Sequence, residues 1–299
     1  EHKIFSFKRD ENFQKTLFII ISKSGNTIET LSNLFFLNIL KKNKKNIIII
    51  TEKKNNTLFN LSKKLNLFFI EHKNYIGGRF SVLSEVGMVP AYLMGINVNK
   101  IRKNINRNLI INNKSLKDGS LIIASLLNKK KFTNLIFLNY VPKLENLLFW
   151  CQQLIGESLG KNGKGLLPIV SNVPKDHHSL LQLYLDGPRD KIFYVISMKN
   201  KIKKNFLKMR NLPNKNNYLH KKSLHQIKEA QKNAMILSLN KNNIPLREFE
   251  INNCEETIIG ELFAYFILET IITGKLSSIN PFDQPAVEQV KKNTLKMLN

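Results

Sequence analysis

Cysteine is nearly absent from this chain, with only Cys151 and Cys254 among 299 residues. They lie far apart and form no CxxC pair. This excludes a disulfide framework and a cysteine-rich metal site, and it fits a reduced, cytoplasmic setting. No HxH or HExxH spacing occurs, so no metal is expected. Acidic residues are also scarce: 22 Asp and Glu face 47 Lys and Arg, a net charge of +25. Such a surplus suggests nucleic acid or an anionic surface. Against that, lysine far outnumbers arginine, and the basic residues are scattered in pieces such as KKNKKN among abundant Asn and Ile. No recognition helix or aromatic platform accompanies them. We read the charge as compositional bias, with no specific nucleic-acid partner. A long unbroken apolar run is missing as well. The best candidate, IIGELFAYFILETIITG, is interrupted by Glu261 and Glu269 and reads as a buried or amphipathic helix, so no membrane partner is expected. The chain lacks an initial Met and opens on EHKIFSFKRD, which reads as the middle of a domain. No signal peptide is visible, and a missing front would hide one.

What is present is an α/β alternation. LFIIIS, NIIIIT and LFFIEH read as strands, separated by helical stretches in TIETLSNLFFLNILKK and LFNLSKKLN. The helical patch RFSVLSEVGMVPAYLMG follows. The pattern restarts with strands NLIFLNY, LPIVSNV, KIFYVISM and PLREFEI, each followed by a helix, and QPAVEQVKKNTLKML closes the chain. Continuous Ile, Leu and Phe runs predict parallel sheets covered on both faces. The expected domains are residues 1–98, residues 99–276 and a tail helix in 277–299. The Lys/Asn-rich stretch 199–221 reads as a solvated excursion.

Five segments carry candidate chemistry. The first strand ends in Ser22-Lys23-Ser24-Gly25-Asn26-Thr27. Gly25 permits a sharp turn, and Asn26 with Glu29 fits a capping box, so a helix N-terminus rich in N–H donors is expected beside three hydroxyls and a lysine. Either a phosphate site or an ordinary polar turn would use these residues, and the spacing is not that of a nucleotide P-loop. In YIGGRFSVLSEVG, two glycines present Arg79, either to an anion or to solvent. In QQLIGESLGKNGKG, Gln153 and Glu157 share a helix face before a glycine-rich loop, and Glu157 is either a general base or a solvated acid. In KDHHSLLQLYLDG, His177 and His178 open a helix whose dipole favours a neutral imidazole, and one of the two reads as structural. In SSINPFDQPAVEQVKK, a Pro-bracketed turn precedes Gln284, Lys291 and Lys292, where one lysine faces a pocket or both face water.

In wording and order, SKSGNTIET, GGRFSVLSEVG, GESLGKNGKG, HSLLQLYLDG and NPFDQPAVEQVK resemble the signatures of the glucose-6-phosphate isomerase family. The resemblance covers nearly the whole chain. It implies two sugar-isomerase domains of flavodoxin-like, doubly wound parallel-sheet type with a C-terminal helical tail, the first domain incomplete at its N-terminus. It implies cofactor-free interconversion of glucose 6-phosphate and fructose 6-phosphate through ring opening and a cis-enediolate, in a homodimer with shared active sites. Ser22, Ser24, Thr27 and the backbone of Lys23 would hold the sugar phosphate, and Gln284 would contact its phosphate end. Arg79 would stabilise the enediolate. Glu157 would move the proton, with Gln153 beside it. His178, spaced to Gln182 as in the family's H-x-x-x-Q, would open the ring from a neighbouring subunit, and Lys291 would share that work. The family's upstream GIGGS-type loop does not occur before Ser22, and Ala286 and Val290 stand where many relatives have glycine. The alternatives are a non-catalytic sugar-phosphate-binding module and an inactive fragment of the isomerase.

Overall fold

A computed structural model describes residues 2–10, 12–110, 113–199, 218–220 and 222–298. Most of the expected excursion, residues 200–217 and 221, lies outside them. The chain divides into two compact units, Glu1–Asn99 and Lys100–Asn299.

The first unit runs α1 (His2–Asp10), β1 (Phe18–Ile21), α2 (Ile28–Leu37), β2 (Ile47–Thr51), α3 (Thr57–Lys64) and β3 (Phe68–Glu71). A 3₁₀ segment, Gly78–Leu83, then leads into α4 (Glu85–Leu93). Its strands form a parallel sheet in the order β1-β2-β3, with Phe18 opposite Ile47 and Ile48 opposite Phe68. Isoleucine dominates because its branched Cβ suits the pleated, buried surface. Ile47 and Ile49 pack with Leu34 of α2 and Leu58 of α3 in one cluster, so both crossover helices cover the same face. The helix expected over residues 27–42 stops at Leu37, where Asn38 turns to a left-handed φ of 52°.

The second unit opens with α5 (Val98–Arg102, beginning just ahead of the division), α6 (Arg107–Ile110) and α7 (Lys114–Asn128). There follow β4 (Asn134–Asn139), α8 (Glu145–Leu159), β5 (Leu167–Asn172), α9 (His177–Asp186) and β6 (Lys191–Met198). Next come α10 (Leu224–Lys241), β7 (Leu246–Ile251), α11 (Glu256–Leu276) and α12 (Pro285–Leu298). The strands are parallel in the order β5-β4-β6-β7, so the winding direction reverses between β4 and β6. β6 is buried from Lys191 to Ser197. Ile136, Phe193 and Val195 pack on one face with Met235 and Leu239 of α10. On the other, Phe137 stacks edge-on against Tyr194 and Phe266 of α11.

By length and composition α11 is long and apolar enough to cross a membrane, which corrects the expectation that no run is. Here it is a packed helix. It buries Gly260, Ala264, Thr270 and Gly274 and lies along α7 and α8. The Glu269 that interrupts its apolar run is buried and answered: Arg247, Tyr194 and Tyr265 all donate to its carboxylate. Burial pushes the Glu269 carboxyl above its ordinary range, against the opposing pull of Arg247. Arg247 also reaches the Ser115 carbonyl oxygen of α7 at 2.6 Å.

Candidate active site

The anion segment sits at the carboxyl end of β1, where open parallel sheets bind ligands. Ser22 is buried, and its hydroxyl lies 2.7 Å from that of Thr27. The Gly25 N–H donates to Ser22 Oγ at 3.1 Å, which closes the turn. Gly25 has φ +67°, and a Cβ there would meet Asn56 Oδ1 at 1.9 Å, so only glycine fits. The expected Asn26–Glu29 capping box does not form. Thr27 is the N-cap of α2 and makes no side-chain cap hydrogen bond. Asn26 instead turns outward and accepts from the Thr57 N–H of α3 at 2.9 Å. The first turn of α2, relieved of a side-chain cap, keeps the N–H groups and positive dipole end that suit a phosphate. Ser24 and Thr27 are exposed beside it.

The Lys23 side chain reaches the segment that follows β3. It donates to the Asn74 carbonyl oxygen at 2.8 Å and lies 3.7 Å from Glu52. Its own carbonyl accepts from the Thr51 hydroxyl and the Glu52 N–H, each at 3.2 Å. Lys23 therefore ties this segment to Asn74, in the turn that leads into the Arg79 loop. Arg79 is buried, at 3% exposure, inside the 3₁₀ segment. Its guanidinium lies over the Phe80 ring, 5.2 Å from the centroid.

In the second unit, Glu157 occupies the last turn of α8, half-buried, and accepts from Gln153 Nε2 at 3.2 Å. The glycine-rich loop that follows is docked by two lysines. Lys161 donates to Asp283 at 2.7 Å and to the Asn280 carbonyl oxygen, and Lys164 donates to the Ser277 carbonyl oxygen at 3.0 Å. The loop after Glu157 is thus joined to the turn that carries Gln284. Sequence reasoning missed both lysines and Asp283. The available signal was a lysine on each side of the Asn162-Gly163 turn, facing an acid in a Pro-bracketed turn.

The histidines lie elsewhere in the same unit. α8 runs from the carboxyl end of β4 to the amino end of β5, and Asn172 at the far end of β5 donates to Glu145 at the start of α8. Glu157 therefore sits at the amino end of the sheet, whereas α9, with His177 and His178, begins at its carboxyl end. The two ends of β5, a six-residue strand, are separated by about 17 Å. His177 is half-buried, with Nε2 3.2 Å from the Tyr140 hydroxyl. Burial, then the neighbouring His178, lower its pKa below the ordinary 6.5, and Asp176 opposes them. Burial thus replaces the helix dipole, expected from the sequence, as the leading cause for His177. Asp176 anchors the helix start through the Asn172 N–H at 2.8 Å and the Ser171 hydroxyl at 3.1 Å. His178 is exposed, and Gln182, one turn on, donates to Asp186 at 3.0 Å. Lys291 lies on the exposed face of α12 in an ion pair with Glu288 at 2.8 Å. Among the described residues, no group of three His, Cys, Asp or Glu could hold a metal ion.

Comparison with known proteins gives these residues a context. A family profile described as phosphoglucose isomerase matches residues 3–298. A probable glucose-6-phosphate isomerase of Methanococcus maripaludis is 36% identical over 296 residues, covering 94% of this chain and 65% of the relative. The glucose-6-phosphate isomerase of Methanocaldococcus jannaschii is 32% identical over 302 residues, covering 97% of this chain and 73% of the relative. The chain thus spans about two thirds to three quarters of the length of these two curated relatives. A hypothetical protein of Thermus thermophilus superimposes with a TM-score of 0.88 at 26% identity, over 99% of this chain and 74% of the other. A glucose-6-phosphate isomerase from Chlamydia trachomatis gives a TM-score of 0.74 at 20% identity, over 99% of this chain and 62% of the other, and shows the shared fold.

Proposed function

The chain belongs to the phosphoglucose isomerase family, and on that premise we propose that it interconverts glucose 6-phosphate and fructose 6-phosphate in the cytoplasm. Curated relatives from archaea and bacteria carry the name of that isomerase, which favours an enzyme over a non-catalytic binding module. The observation that carries the reading is Glu157, a carboxylate steered by Gln153 beside a docked glycine-rich loop.

Ser22, Ser24, Thr27 and the open first turn of α2 hold the phosphate, and Gln284 contacts that end. Once the ring is open, Glu157 takes the proton from carbon 2 of the aldose and returns it to carbon 1, leaving the ketose. Arg79 balances the charge of the intervening enediolate. The isomerisation moves a proton and an electron pair within one molecule, so no cofactor is needed. His178 and Lys291 move the proton that opens the ring. In this reading His178 comes from a second copy of the chain, in a homodimer with shared sites, which accords with Glu157 and His178 lying at opposite ends of one sheet.

A coupled assay on the full-length protein tests this. Glu157→Gln should lower kcat by about 10²–10⁴-fold, while calorimetric binding of fructose 6-phosphate stays close to wild type. Turnover retained in that variant would rule out Glu157 as the base.

A further inference from the structure

The loop that carries Arg79 begins and ends on a single buried ring. His72 follows β3, and its N–H donates to the Thr51 carbonyl oxygen at 2.8 Å, extending the sheet by one bond. The residue is 2% exposed. Its Nε2 faces the Ile76 carbonyl oxygen at 3.1 Å, immediately before Gly77. Its Nδ1 makes a close contact with Glu85 Oε1, on the first residue of α4. The segment 77–84, with Arg79 within it, lies between these two anchors. The Ile76 carbonyl oxygen faces one ring nitrogen and the Glu85 carboxyl group the other, so the ring bridges the two ends of the loop.

The segment has little slack. Ser81 Oγ donates to the Gly78 carbonyl oxygen at 2.6 Å, and Ser84 Oγ donates to the Ser81 carbonyl oxygen at 2.7 Å. A Cβ on Gly87 would lie 2.0 Å from the Val82 carbonyl oxygen, so the first turn of α4 packs directly on the end of the loop. Displacing either anchor therefore displaces the backbone of Arg79.

We propose that the His72–Glu85 pair is a positioning device for Arg79 that sets where its guanidinium meets the reacting end of the sugar phosphate. Neither residue touches the substrate. The inference rests on the isomerase reading and adds two residues to it.

Two variants of the full-length protein test it, with two readouts. His72→Gln keeps a polar tip near Ile76 but lacks the ring nitrogen that faces Glu85. Glu85→Gln keeps the side chain's shape and removes only its charge, so it decides the matter if His72→Gln fails to fold. The Nε–H resonance of Arg79, assigned with Arg79→Lys, should shift in both variants. Their kcat should fall on the order of 10–100-fold, the scale of a displaced catalytic group. KM for fructose 6-phosphate should stay within about twofold, because the phosphate is held by a separate segment. The double variant should lose no more than the worse single one, as expected for one shared contact. An unmoved Arg79 resonance overturns the proposal whatever the turnover, and so does a moved resonance with unchanged kcat. A wild-type protein that does not isomerise, with the resonance still shifting in the variants, refutes the isomerase reading and leaves the coupling standing.

Discussion

The two units hold their functional groups by different means. In the first, the sheet runs β1-β2-β3 in one direction, and β3 is exposed at Phe68 and Glu71. Polar contacts tie its two candidate loops to their surroundings, among them Asn26 to Thr57, Lys23 to Asn74, and His72 to Ile76 and Glu85. In the second, the winding reverses and β6 is buried along nearly its whole length. There Glu157 stands on a helix that buries Leu147, Leu148, Cys151, Leu154 and Ile155. A fully buried Leu or Ile side chain contributes roughly 1.5–3 kcal/mol, against about 0.5–1.5 kcal/mol net for a typical hydrogen bond. Damage to the second unit should therefore register as lost stability. Damage to the first should register as displaced site geometry in a protein that still folds.

The comparison breaks first, if it breaks at all, at the buried charge cluster. Glu269→Ala strands the Arg247 guanidinium beneath α11 and should destabilise the protein by about 3–5 kcal/mol, read as a lower denaturant midpoint. A near-neutral result would show that water enters the cluster and that the second unit is less dry than its burial indicates. A smaller effect is expected at Asn56, which caps α3 through the Phe59 N–H at 2.9 Å and lies against Gly25. Asn56→Ala should cost about 0.5–2 kcal/mol and should raise KM for the sugar phosphate by relaxing the anion loop. Loss of stability with an unchanged KM would place Asn56 with the second unit's kind of residue. The smallest effect belongs to His177. Its folded pKa lies below the ordinary 6.5, so the unfolded chain binds the proton more readily. The stability it contributes is complete above about pH 6.5 and is lost as the pH falls through that value toward the folded pKa. His177→Asn should flatten the stability profile in that window, measured by urea unfolding between pH 7 and pH 5.

Much of this was legible in the sequence because parallel strands buried on both faces are written as unbroken Ile, Leu and Phe runs. All seven described strands were anticipated, most of them on that basis, whereas β7 reads as LREFEI, with charged residues between its apolar ones. The helix α7 was not. Its buried face is Leu116, Gly119, Ser120, Ile123, Ala124 and Leu127, where small and polar residues replace the large apolar ones that mark helical period. The reason is spatial: a Cβ on Gly119 would meet Arg247 at 2.1 Å. The site was legible as motifs and far less so as contacts. Nothing in SKSGNTIET indicates that Asn26 would accept from the first turn of a different helix, or that the Lys23 side chain would turn to Asn74, because both partners lie more than 30 positions away. His72 sits outside the GGRFSVLSEVG motif whose loop it clasps, and only the folded chain places it there.

If His178 acts on a neighbouring copy, as proposed, its separation from Glu157 along β5 has a genetic consequence. In a site assembled from two copies, a lesion at His178 disables the intact Glu157 of its neighbour, while its own Glu157 keeps working with a healthy neighbour's histidine. Defects at the two ends of the sheet would then complement one another when the copies mix. Defects at the same end would not.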